Sequence, residues 1–178
     1  MTFAETAINT FLDRKLSQPH TPAEMPHPET RSLTKGIIAG IVAGLAATAA
    51  KAMVEKVYPP RASGTPKPSE MMAERLAGHE LAPRQKEVAS DTLHFAFGAT
   101  TGAVYGALAE YYPAASSREG INFGMTMMAL TQETALPAMG LGLAPAEQSV
   151  REKTSEFASH VVFGLVAETT RRLVRKML

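Results

Sequence analysis

Uncharged, apolar stretches alternate along this chain with polar ones rich in charge and proline. The sharpest is GIIAGIVAGLAATAA, residues 36–50, which carries no charge and spaces Gly36, Gly40 and Gly44 four residues apart. On an α-helix that interval lines the glycines along one face. A glycine face lets a second helix backbone approach closely, a favoured way for helices to pack within lipid. A second uncharged stretch repeats the device with Gly98, Gly102 and Gly106, and a third begins it with Gly120 and Gly124. The pattern predicts an all-α membrane bundle of four transmembrane helices, over residues 34–58, 92–113, 120–143 and 155–173, with short amphipathic helices at its periphery.

The polar stretches divide the chain. In residues 1–33, Phe3, Ala7 and Phe11 fall on one side of a short helix suited to a membrane surface, to the protein itself or to a partner. Pro19, Pro22, Pro26 and Pro28 then impose an extended linker. In the first span Lys51 and Glu55 lie one turn apart and can pair, and Lys51 can also snorkel towards the interface. Pro59 and Pro60 end that helix and open a polar loop over residues 59–91. Within the loop, Ser69 as N-cap and Gly78 as terminator predict a short helix that lays Met71, Met72 and Leu76 on the bundle. Pro83 suits the first turn of a helix running straight into the second span. The third span holds Glu133, with Pro137 one turn later predicting a kink. The fourth is bracketed by Glu156 and Glu168 and spans a bilayer only if those carboxylates face inward.

Composition adjusts this picture modestly. The chain of 178 residues is the size of one domain, and its mean hydropathy of −0.06 averages over strongly segregated segments. A net charge of +1 argues against a nucleic-acid partner. The absence of cysteine excludes disulfides and thiolate chemistry. Residues 1–30 lack the apolar core of a cleavable signal, so a membrane location rests on the internal spans. The basic run RRLVRK at the C-terminus predicts that both termini are cytoplasmic.

Ionisable groups at membrane depth are costly and mark pathways or internal contacts. The candidates are His94, Glu110, Glu133, Glu156, His160 and Glu168. Glu156 and His160 share a helix face, and Glu168 has Arg171 and Arg172 within a turn. Two readings stand: a proton-responsive cluster, or hydrogen bonds between helices that set the register of a weakly apolar bundle. A metal or haem held by His94 and His160 is disfavoured, because Glu156 and His160 are not spaced as the Glu-x-x-His of carboxylate-bridged iron sites. No cofactor is expected. No phosphate loop, nucleophile elbow, HExxH or zinc pattern occurs, so the sequence predicts no enzyme.

The order and spacing of several pieces carry a resemblance. These are PPR at 59–61, His94 opening the second span, AEYYP at 109–113, LPAMGLGLAP at 136–145, and SEFASHVVF followed by AETTRRLVRK over 155–176. In these the chain resembles the YagU-type family of bacterial inner-membrane proteins. The resemblance implies a multi-span protein of the bacterial inner membrane and supplies no substrate. The leading expectation is a non-enzymatic scaffold or accessory subunit of a membrane complex, in contact with lipid and with other subunits or a second copy. The alternatives are a small transporter, channel or pH-responsive protein using inward Glu and His side chains, and a soluble Ala/Gly-rich helical bundle.

Overall fold

The computed structural model describes residues 31–178, and the amphipathic helix and proline-rich linker expected before them lie outside those residues. Among the described residues the elements are helical and there is no strand. Helix α1 (Leu33–Val57) begins at Ser32, whose Oγ accepts the Lys35 N–H at 3.4 Å. Helix α2 (Pro68–Ala77) ends at Gly78, which takes a left-handed φ of 74°. Its N-cap is Lys67 rather than Ser69, because Pro68 with its preset φ occupies the first helical position. Ser69 instead meets Ser90 of the next helix, Oγ to Oγ, at 2.7 Å. Helix α3 (Pro83–Tyr111) carries the second apolar stretch in one continuous run from Pro83.

A 3₁₀ segment (Pro113–Gly120) turns the chain into α4 (Ile121–Leu130), which continues through a π turn (Thr131–Ala135) and a last turn (Leu136–Ala138). The third stretch is therefore shorter than residues 120–143. Pro137 has no N–H to donate, and the helix widens into the π turn just before it. The freed carbonyl of Gln132 accepts from the Gln148 side chain at 3.4 Å. Helix α5 (Val150–Met177) is longer than its uncharged core suggested and is capped by Ser149, which accepts the Glu152 N–H at 3.1 Å.

The long helices run alternately up and down. Helix α1 packs on α3 and on α5, α4 packs on α5, and the Tyr105 ring of α3 stacks on Phe123 of α4 at 4.0 Å. The α1–α3 contact is made by backbone. A Cβ on Gly40 would lie 2.1 Å from the carbonyl oxygen of Gly102, and one on Gly44 would lie 2.0 Å from that of Gly98. The reciprocal faces are as tight, since a Cβ on Gly106 would lie 2.1 Å from the Gly36 carbonyl oxygen. A second such contact joins α4 to α5: a Cβ on Gly120 would lie 2.2 Å from the carbonyl oxygen of Gly164, and one on Gly124 2.1 Å from that of His160. Gly120 also needs its left-handed φ of 84°, so two constraints hold that position.

Close approach leaves room only for small side chains between α1 and its neighbours, and Ala39, Ala43 and Ala47 are fully buried there. Tyr105, Phe163 and Ala167 fill the remaining interior. The large apolar side chains of α1 and α3 point outward: Ile38, Ile41, Val42 and Leu45 on one, Phe97, Val104 and Leu108 on the other.

Helix α2 is pinned to the start of α3 by Lys86, whose ammonium lies 2.7 Å from Glu74, while Glu74 also accepts the Leu81 N–H at 3.2 Å. These bonds, that from Lys86 foremost, hold the Glu74 carboxyl below its ordinary range. A depressed folded-state pKa means the contact stabilises fully above the usual carboxylate pKa and is lost as pH falls through the lowered value. Hydrogen exchange over residues 68–82, corrected for its intrinsic pH dependence, should therefore rise only below about pH 4. In Lys86→Ala it should already be raised at neutral pH. For the bundle itself, Gly40→Ala and Gly102→Ala should each cost about 1–3 kcal/mol by overpacking. That outweighs the roughly 1 kcal/mol a helix gains on exchanging Gly for Ala. Leu45→Ala, at a partly exposed outward position, should cost less, as read from thermal unfolding in mild detergent.

Candidate functional site

The interior carries two polar layers, one near each end of the bundle, and both use residues whose side chains face the axis. In the first, where α1 and α4 begin and α3 and α5 end, Glu168 is 0% exposed. It accepts from the Tyr105 hydroxyl at 2.6 Å, from Arg171 at 2.8 Å through two nitrogens, and from Arg172. The Arg171 guanidinium also sits 6.0 Å from the centroid of the Tyr105 ring. Beside this group, Glu110 pairs with Arg175 and accepts the Ser32 N–H at 3.2 Å. One carboxylate thus ties the end of α3 to the start of α1 and the end of α5. The guanidiniums suit the C-terminal end of α5, and Glu110, though in the last turn of α3, meets the N-terminus of α1 through the Ser32 N–H. Lys35 donates to the terminal Leu178 carbonyl at 2.5 Å and completes the layer.

In the second layer, Lys51 is 7% exposed and lies between two carboxylates. It pairs with Glu55 on its own helix and reaches Glu156 of α5 at 3.3 Å. His160 Nδ1 donates to the Glu156 carbonyl at 2.8 Å, and the Glu156 carboxylate lies 3.5 Å from the same nitrogen. Ser159 donates to Glu55 at 3.4 Å. His94 of α3 is half-buried within electrostatic reach of Lys51 and Glu55. The layer is closed from outside by Ser155, whose hydroxyl donates to the Tyr58 carbonyl at 2.5 Å, and by Arg61, 3.3 Å from Glu152. Lys51 turns inward to this pair and does not snorkel.

The six ionisable candidates therefore do not form one cluster. Glu110 and Glu168 belong to the first layer, and His94, Glu156 and His160 to the second. Glu133 joins neither: it is exposed in the π turn. Counting along α4 from the Gly120–Gly164 and Gly124–His160 contacts puts it level with the start of α5, beside Lys153 rather than mid-span. The eight glycines expected to pack do face helix backbones or close side chains. Sequence reasoning missed Gly164, which completes the α4–α5 contact, along with Tyr105 and Arg175 as partners of the buried carboxylates. Gly164 had a signal, since Ser155, Ser159 and His160 precede it and Ala167 follows it at helical spacing of small and polar residues. Tyr105 and Arg175 had none, because their partners are more than sixty residues away.

Chemically, both layers are occupied by their own pairs. Among the described residues, no buried side-chain nitrogen or oxygen lacks a hydrogen-bond partner, and no three His, Cys, Asp or Glu side chains converge as a metal ion requires. The arrangement defines an all-helical bundle with a backbone-packed, charge-paired interior. A family model described as a protein of unknown function, DUF1440, matches residues 45–169, and the chain belongs to that family. No curated protein and no solved structure matches it.

Removing the Glu168 carboxylate strands Arg171 in the interior, a change that typically costs about 3–5 kcal/mol. Glu168→Ala should show that loss in unfolding. Glu133→Ala, at an exposed position, should stay within about 0.5 kcal/mol of the parent.

Proposed function

We propose that the chain is an integral membrane protein whose four long helical segments (α1, α3, α4 with its continuation, and α5) cross the bilayer. The observation that carries this reading is the inverted distribution of polarity. Ion pairs, serines, glycines and alanines are inside, and isoleucine, valine, leucine and phenylalanine are outside. The height of the uncharged outer surface matches lipid. The exposed charges Lys35 and Lys56 bound about 31 Å of α1, and Lys153 and Arg172 about 28 Å of α5. Asp91 and the exposed Tyr111 bound about 30 Å of α3, against a hydrocarbon core about 30 Å thick.

By length and composition one helix among the described residues, Leu33–Val57, is apolar enough to span, and a core helix of a soluble protein passes the same test. The reading extends to α3 and α5 because Glu110, Glu156, His160 and Glu168 are turned inward and paired, and His94 is half-buried. Average hydropathy counts such groups as though lipid met them. The likeness to YagU-type proteins supports a bacterial inner membrane, and the basic end of α5 supports cytoplasmic termini.

Within that membrane the protein acts as a non-enzymatic scaffold or accessory subunit. Its buried carboxylates are consumed by internal pairs, which favours a role in fixing helix register over transport chemistry. Val42 tests the membrane reading at a single position, since it is exposed midway along α1. In lipid, Val42→Lys should cost about 2.5–3.5 kcal/mol of insertion and deplete the chain from carbonate-washed membranes. In a soluble bundle the same exposed substitution would leave yield and solubility unchanged, and that result would sink the proposal.

A further inference from the structure

Both polar layers fix helix register, but their charges balance differently. In the first, Glu110 and Glu168 face three guanidiniums, those of Arg171, Arg172 and Arg175. Both carboxylates are ionised there. In the second, the Lys51 ammonium serves two carboxylates, Glu55 on its own helix and Glu156 on α5. Lys51, Glu156 and His160 are buried, and Glu55 is half-buried. The charged neighbours of the layer cancel one another. Arg61 meets Glu152 at 3.3 Å. From the α3 side His94 faces the layer, with Lys67 and Asp91, opposite in charge, acting on it from the rim. Helix α4 and its continuation carry only Glu133, which is exposed. With both histidines neutral, the described residues of this layer therefore hold one negative charge too many.

We propose that the second layer is a proton-binding site, in which the Glu156–His160 pair holds one exchangeable proton at neutral pH. That proton brings Lys51, Glu55 and the pair to zero net charge. An uncompensated charge away from water is expensive, and a buried group takes up or gives up a proton rather than carry one. The pair is built to do so. His160 Nδ1 donates to the Glu156 carbonyl at 2.8 Å, which leaves the second ring nitrogen as the base. The Glu156 carboxylate lies 3.5 Å from Nδ1, so the two groups titrate as one unit and the proton belongs to both. Glu55, bonded to Lys51 and to Ser159, gives that proton a route to the end of the bundle opposite the C-terminus. Its loss sets two carboxylates against one ammonium and weakens the hold of α1 on α5.

Linkage makes the proton measurable. Above about pH 7 an unfolded Glu and His together hold almost no proton. A folded chain that keeps one therefore loses stability as pH rises, by up to about tenfold in the unfolding constant per pH unit. Dodecyl sulfate unfolding of the purified full chain in mild detergent, between about pH 7 and 9, should show that slope. Glu156→Gln and Glu55→Gln each leave Lys51 a single carboxylate, and each should flatten the slope to less than about twofold per pH unit. Glu168→Gln, in the layer whose carboxylates are ionised, should unfold more readily at every pH and keep the parent slope. A parent whose stability is level or rises with pH overturns the proposal. So does a slope that persists in either Glu55→Gln or Glu156→Gln, or one that Glu168→Gln abolishes as well. The two layer-two variants act at different helices, so one that fails to fold leaves the other to decide.

Discussion

The bundle depends on contact between backbones. Gly40 and Gly44 meet the carbonyls of Gly102 and Gly98 so closely that even a methyl group cannot enter. This proximity dictates what the rest of the interior contains. With α1 and α3 touching, only alanine and threonine fit alongside, and the space left near α4 and α5 is filled by Tyr105, Phe123 and Phe163. Large aliphatic side chains do not fit between α1 and α3, and those helices carry theirs outward. The polarity of the surface is thus a consequence of how the core packs.

The same constraint explains the buried charges. A narrow interior makes an unpaired polar group expensive, so each carboxylate there is matched by donors reaching it from other helices. Glu168 draws on α3 and α5, Glu110 on α1 and α5, and Lys51 joins α1 to α5. Because the pairs lie near the two ends, they set the register of helices whose glycine and alanine faces could otherwise slide by one turn. The charged groups of both layers are thus engaged within the bundle.

Much of the architecture was legible in local sequence. Helix α1, the continuous run of α3 from Pro83 and the glycine faces all follow from spacing and from residues that start or stop helices. The errors were local competitions between two such signals. At residues 67–69 a preset proline outranked a capping serine, and before Pro137, which removes a backbone donor, the chain widens into a π turn. The candidate site was less legible. Six ionisable residues could be named, but their division into two layers, and the exclusion of Glu133 from both, depended on which helices lie side by side.

The sequence by itself determined that the chain is helical, where its apolar stretches lie and which faces can come close, because those properties repeat within a few turns of one helix. The tertiary structure alone decided which carboxylate meets which guanidinium, that Lys51 turns inward, and that α5 holds its charges against its neighbours. These are contacts between residues far apart in the chain. Their energies depend on burial and partner geometry, and no local pattern of residues encodes either.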